Sequence, residues 1–253
     1  MSGALTDSDE PASDAAPCYF RLASADELPP AGEDGRWLSP AERERAAAMA
    51  PQRRSDYRLG RWASKQALAS LLGAEAPTLP HLEIRAAPDG SPLALVDAQP
   101  LPLQLSISHR QGRALCALRT GDDRDVGCDL ERIEARSDAF LADFFTRGER
   151  ELCASAGRRS WLAAALLWSV KESCLKALRT GLRRDSRSIE VSLLSLAPAP
   201  EPHGWQPVRA VDREASGEAA ILRGWWRTWE GFVLTVAARA GAPPPCELAA
   251  PWR

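Results

Sequence analysis

Lysine is almost absent from this chain: of its 32 basic residues, only Lys65, Lys171 and Lys176 are not arginine. Arginine stays charged, whereas lysine can release a proton, so keeping two lysines five residues apart points to a use for proton transfer. Long apolar runs are missing as well. The longest, Trp161 to Trp168, falls far short of the ~20 residues a membrane span needs. The N-terminus lacks a basic-then-apolar leader pattern, which together with the short runs predicts a cytosolic protein with no membrane partner. No CxxC pair occurs among Cys18, Cys116, Cys128, Cys153, Cys174 and Cys246. Four of these lie in apolar stretches, where a thiol behaves as a small hydrophobe, so neither disulfides nor zinc is indicated.

The 253 residues are 45% apolar and 26% charged, which suits a globular chain of one large domain or two of about 100 to 120 residues. Net charge is −2, and the first twenty residues hold Asp7, Asp9, Glu10 and Asp14 without any Lys or Arg. Outside that tail the balance turns positive, above all between Arg36 and Lys65 and between Leu141 and Glu190. Such stretches attract phosphates or acidic proteins, or serve as solvated arginine faces.

Residues 1–17 are acidic, small and proline-containing, and read as a disordered tail. A strand follows at 18–22. Ser39, Pro40 and Glu42 sit as N-cap, N1 and N3 of a helix running to about Met49. A second helix spans 53–72 and stops at Gly73. Beyond the Pro88-Asp89-Gly90 turn, two alternating runs at 103–108 and 114–119 form a hairpin. The polar turn 121–125 separates an N-terminal half, 18–122, from a C-terminal half, 123–243, leaving 244–253 as a tail. In the second half a short strand at 126–131 precedes helices at 137–145, 147–155 and 160–179, the last closed by Gly181 as C′. Strands are expected at 188–194, 207–211, 219–226 and 232–237. Trp62-x-x-Lys65 echoes Trp168-x-x-Lys171, which suggests an internal repeat of two similar halves.

Two segments carry candidate chemistry. In Val126-Gly127-Cys128-Asp129-Leu130-Glu131, Asp129 and Glu131 are two apart on a strand and share a face. Paired carboxylates persist when solvated at a strand end or when bridged by a hard cation such as Mg²⁺. In Trp168-Ser169-Val170-Lys171-Glu172-Ser173-Cys174-Leu175-Lys176, positions 168, 172 and 176 line one helical stripe. Glu172 and Lys176 are then either an ordinary surface pair or a carboxylate and an ammonium held for catalysis.

Together these segments resemble the 4′-phosphopantetheinyl transferase superfamily, whose signature is a VGxDxE strand followed about forty residues later by WSxKESxxK. Here they read VGCDLE and WSVKESCLK, with Trp168 39 residues after Asp129. The likeness extends through Leu38-Ser39-Pro40, Gly60-Arg61, Asp89-Gly90 and Ser106-Ile107-Ser108-His109, and is to the surfactin-synthetase-activating type. That type implies an α+β fold of two pseudo-symmetric halves in one chain, with the active site between them. It implies transfer of phosphopantetheine from coenzyme A to a serine of an acyl, peptidyl or aryl carrier protein, by a monomer with no nucleic-acid partner. Mg²⁺, replaceable by Mn²⁺, would be held by Asp129, Glu131 and Glu172. Glu172 would accept the serine proton, directly or through a metal-bound water, and Lys176 would stabilise or protonate the departing nucleotide. His109, Lys171 and Lys176 would meet coenzyme phosphates, with Ser108 orienting beside them as part of the coenzyme site, and Arg45, Arg58 and Arg61 the 3′-phosphate. Where relatives carry Gly-Lys-Pro this chain has Asp89-Gly90-Ser91-Pro92, so a phosphate contact is missing there or comes from Arg85. The carrier would dock against 140–146, unless Phe144-Phe145 is plain core. Two rival readings remain at this point: another Mg²⁺ phosphotransferase or nuclease, and a carrier-binding module without chemistry.

Overall fold

In the computed structural model, residues 16–73, 78–121, 125–192, 195–197, 204–239 and 243–250 are described. Most of the acidic tail at 1–17 lies outside them. The N-terminal part contains β1 (Cys18–Ser24), α1 (Pro40–Ala47), α2 (Pro51–Leu72), β2 (Leu82–Ala86), β3 (Pro92–Val96), β4 (Gln99–Pro100), β5 (Leu103–Arg110) and β6 (Arg113–Thr120). The C-terminal part contains β7 (Gly127–Arg132), α3 (Asp138–Phe144), α4 (Arg147–Ser155), α5 (Ser160–Ala177), β8 (Ile189–Ser192), β9 (Gln206–Asp212), β10 (Ile221–Trp229) and β11 (Phe232–Arg239), and is followed by β12 (Cys246–Glu247).

The strands form sheets ordered β12-β1-β6-β5, β7-β11-β10-β9-β8 and β2-β3-β4. The last is a hairpin about the Asp89-Gly90 turn that strand patterning did not reveal. Gly90 turns it with φ 87°, a conformation open to glycine without a Cβ penalty. The segment expected as a C-terminal tail instead adds β12 to the edge of β1, in parallel. Gly181 is likewise not the C′ residue of α5: Arg179 takes that left-handed position at φ 59°, with Thr180 donating to the Leu175 carbonyl.

Helix α2 lays Leu59, Ala63 and Ala67 on the first sheet, and α5 lays Ala163, Leu167 and Val170 among residues of the second. A third core joins the halves: Phe20 and Leu22 of β1 and Leu115 and Ala117 of β6 meet Cys128 and Leu130 of β7 and Leu234 of β11. Strand β7 is therefore covered on both faces, and Asp129 is 4% exposed instead of lying at a solvated strand end. No helix among the described residues is long and apolar enough to cross a membrane.

The Trp-x-x-Lys echo has a three-dimensional counterpart. Glu42 closes a capping box with Ser39 at the start of α1, and Glu149 closes one with Thr146 at the start of α4. Each glutamate also accepts a backbone N–H 42 residues on, from Ile84 and from Val191. Each then receives a buried lysine: Lys65 Nζ lies 2.6 Å from Glu42 and Lys171 Nζ lies 2.9 Å from Glu149. The ammonium groups complete their hydrogen bonds on two carbonyls apiece, Trp37 and Leu79 for Lys65, Ser186 and Ile189 for Lys171. Three acceptors around one point suit an ammonium and not a planar guanidinium. That need, and not proton release, is what these two lysines answer in an arginine-rich chain.

Candidate active site

Strand β7 and helix α5 cross so closely that a Cβ on Gly127 would fall 1.9 Å from the Ser173 carbonyl oxygen and 2.6 Å from Ala177 N. Only a residue without a side chain permits this approach. Ser169 and Ser173 also fix the helix to the neighbouring strand β11 through the Thr235 hydroxyl, at 2.8 and 2.6 Å. The approach brings Lys176 onto the strand, where its Nζ donates to the Cys128 carbonyl at 3.0 Å and to Asp129 Oδ1 at 2.8 Å.

The N-terminal half supplies the next contact. Ser106 and Ser108 sit two apart on β5 and point at the edge of β7, where no backbone ladder joins the two sheets. Ser106 Oγ accepts from Cys128 N, and Ser108 Oγ accepts from Leu130 N while donating to Asp129 Oδ1 at 2.8 Å. Asp129 is thus held by one group from each half.

Two buried carboxylate oxygens have no hydrogen-bond partner among the described residues: Asp129 Oδ2 and Glu172 Oε1. Leaving such atoms bare in a closed interior is costly. Burial raises the Glu172 pKa; Lys176 opposes the shift, Asp129 and Glu131 add to it, and the value is pushed up to about 7. Glu131 is raised too, by burial and then by Asp129, against the pull of Arg136 and Arg110. For Lys176, burial disfavours the charge, but the negative groups around it, Asp129 foremost, leave its pKa raised.

Both orphaned oxygens are hard donors, and their bare state fits a divalent cation that completes its shell with water and phosphate oxygens. Among the described residues no three His, Cys, Asp or Glu side chains converge into a complete site as they stand. The third carboxylate of the neighbourhood, Glu131, has its Oε2 on Arg136 Nη2 at 2.6 Å.

Beside this centre lies a cleft of about 710 Å³ lined by Arg45, Arg53, Tyr57, Arg61, Arg85 and His109, among others. Gly60 lets α2 approach β5 here, since a Cβ would come 3.2 Å from Ile107 Cγ2. The Arg61 guanidinium stacks on Tyr57 with its centre 4.2 Å from the ring centroid. A smaller adjoining cavity of about 270 Å³ contains Lys176 and shares Gly90, Pro92 and Ile107 with the cleft. The turn at 88–92 reaches across to the C-terminal half: Arg179 donates to Ser91 Oγ at 2.9 Å and Arg183 to the Asp89 carbonyl at 3.0 Å.

The structure therefore gathers Ser108, Asp129, Glu172 and Lys176 at one point, with Glu131 at its rim and Arg45, Arg61 and His109 along the cleft. Two expected phosphate contacts depart from this. Lys171 is fully buried and spent on Glu149, because a rotation of one residue from Glu172 turns it from the cleft into the core. Arg58 is claimed by Asp34 at 2.6 Å and by the Pro29 carbonyl at 2.7 Å. Arg53 was missed; its place in the basic stretch was the only sequence signal. Phe145 is 1% exposed and part of the core, whereas Phe140 and Phe144 are partly buried and pack against it, meeting Trp168 edge-on or tilted at 5.1 and 4.8 Å.

The profile of the 4′-phosphopantetheinyl transferase superfamily matches residues 125–218. A holo-[acyl-carrier-protein] synthase of Cereibacter sphaeroides is 32% identical over 133 residues, covering 47% of this chain and 96% of the relative. Among solved structures, the holo-(acyl-carrier-protein) synthase of Bacillus anthracis, in complex with CoA (3′,5′-ADP), aligns with a TM-score of 0.37 at 20% identity, over 42% of this chain and 96% of that one. The Helicobacter pylori enzyme, in complex with coenzyme A, aligns with a TM-score of 0.33 at 20% identity, over 41% and 99%. With nearly the whole length of a 32%-identical relative matched, the chain belongs to the 4′-phosphopantetheinyl transferase superfamily.

Proposed function

We propose that this protein transfers the 4′-phosphopantetheine group of coenzyme A to a serine of an apo carrier protein, with release of adenosine 3′,5′-bisphosphate, and that it requires Mg²⁺. The observation that carries this reading is the pair of bare oxygens, Asp129 Oδ2 and Glu172 Oε1, next to the Lys176 ammonium and a cleft lined by arginines.

Arg45, Arg53, Arg61, Arg85 and His109 would bind the phosphates of the nucleotide, guanidinium groups doing so in bidentate fashion, a reading supported by their lining one cleft. Asp129 and Glu172 would hold the Mg²⁺, with Glu131 as a third donor, and a bound Mg²⁺ would supply neutralisation of pyrophosphate charge. Ser108 and Lys176 keep the Asp129 carboxylate turned so that Oδ2 stays free. In the reaction, the carrier serine Oγ forms a bond to the phosphorus attached to pantetheine, and the bond from that phosphorus to the bridging oxygen of the pyrophosphate breaks. The serine proton passes to Glu172, directly or through a water, as general base. Lys176, with its raised pKa, acts as a fixed cation beside the departing oxygens.

Mass spectrometry of an apo carrier incubated with coenzyme A and the protein tests the reading. A gain of about 340 Da, the phosphopantetheine mass expected for this transfer, appears only with Mg²⁺ or Mn²⁺. Unchanged transfer in excess EDTA refutes the metal requirement, and no gain on any of several acyl, peptidyl and aryl carriers refutes the activity.

A further inference from the structure

The carboxylates of the site are not equivalent. Asp129 and Glu172 each keep a buried oxygen bare of any hydrogen bond, whereas Glu131 is tethered through Oε2, which lies 2.6 Å from Arg136 Nη2 and 3.9 Å from Arg110 Nε. Glu131 and Arg136 have side chains only 13% exposed, so this is a partly desolvated, charge-assisted bond and not a loose surface pair.

Arg136 lies in the segment between β7 and α3, and its guanidinium stands over the Phe140 ring at 5.1 Å. Phe140 is itself packed on Trp168. The ring restricts where the guanidinium can go while leaving its two terminal nitrogens free to choose acceptors. A second acceptor is already close: Arg136 Nη1 is 3.5 Å from Glu134 Oε1, an oxygen that also takes a hydrogen bond from Arg110 at 3.2 Å. Two arginines and two glutamates thus share one small network at the rim, and only Glu131 belongs at once to that network and to the carboxylate cluster.

We propose that Arg136 is a latch on Glu131: it withholds this carboxylate from the cluster until a divalent cation draws Glu131 inward, and Glu134 then takes over the released guanidinium. The latch rests on the reading of Asp129, Glu131 and Glu172 as cation ligands. It makes Arg136 a positioning residue that acts through Glu131, and it gives Glu134 the part of a second seat. In the resting protein the guanidinium offsets the repulsion between Glu131 and Asp129, which keeps the half-built site stable. The same bond lowers cation affinity, because it competes with the cation for the Glu131 side chain and its charge.

The test is Mn²⁺ binding to the full-length protein without coenzyme A or carrier, followed by calorimetry and by the electron paramagnetic resonance of free Mn²⁺. Arg136→Gln is expected to bind Mn²⁺ about tenfold more tightly than the wild type, the worth of one charge-assisted hydrogen bond. The gain disappears in the Glu131→Gln background, where there is nothing left to release. Glu134→Gln weakens Mn²⁺ binding in the wild type and has no effect in the Arg136→Gln background, and this arm does not depend on the stability of the arginine variant alone. An unchanged or weaker affinity of Arg136→Gln, with the wild type binding Mn²⁺ normally, removes the latch and leaves the metal assignment standing. A gain that survives Glu131→Gln also overturns it, showing a general effect of charge. Absence of Mn²⁺ binding in every variant refutes the metal assignment, and the latch with it.

Discussion

Replacing Lys171 by methionine keeps the volume of the side chain and deletes its charge. In the structure this strands the Glu149 carboxylate, which is 3% exposed, and leaves the Ser186 and Ile189 carbonyls without their buried donor. Removing one partner of a buried ion pair costs about 3–5 kcal/mol. Glu149 keeps the Thr146 and Val191 backbone N–H groups, which holds the cost toward the lower end. Against a total stability of about 5–15 kcal/mol, and with about 2–4 °C of Tm per kcal/mol for a domain of this size, the variant is expected to melt about 10 °C lower. Lys65→Met leaves Glu42 with Arg61 at 3.8 Å as a remaining cation, and is expected to lose somewhat less. Urea unfolding read by tryptophan fluorescence measures both, and kcat and KM of the folded protein complete the test. A Lys171→Met protein with unchanged stability and a raised KM for coenzyme A would refute the argument and return this lysine to the phosphates.

Three further outcomes are expected. Gly127→Ala forces α5 away from β7, so it costs about 3 kcal/mol or more by overpacking and lowers turnover of the remaining folded protein; a variant as stable and active as the wild type rejects the close approach seen at Ser173. Because Glu172 has a pKa near 7 in the folded protein against 4.5 for the ordinary group, its contribution to stability is fully present below about pH 4.5 and lost as pH rises through about 7. Metal-free Glu172→Gln should therefore exceed the wild type in Tm at pH 8 and lose that advantage at pH 4; a difference independent of pH contradicts the raised pKa. Lys176→Arg is expected to lower kcat by about tenfold or more with little change in KM, since a guanidinium cannot reproduce the ammonium seated on Cys128 O and Asp129; a change confined to KM would assign Lys176 to binding alone.

Local patterns determined much of this protein. Ser39 with Glu42 marked the start of α1, and strand alternation put Asp129 and Glu131 on one face. Helical spacing aligned Glu172 with Lys176, and the Trp-x-x-Lys echo exposed the repeat. These are readable because caps, turns and side-chain periods are set by neighbours a few residues away. Periodicity names a face without saying what covers it, and that was left to the tertiary structure. The fold turned Lys171 onto a capping glutamate and gave Arg58 to Asp34. It brought Arg53 and Arg85 to one cleft from separate elements and set Arg136 on Glu131. It also decided that Asp129 would be buried, because β7 lies between the shared core of the two halves and α5, and a buried carboxylate with one bare oxygen has a chemistry that an exposed one lacks.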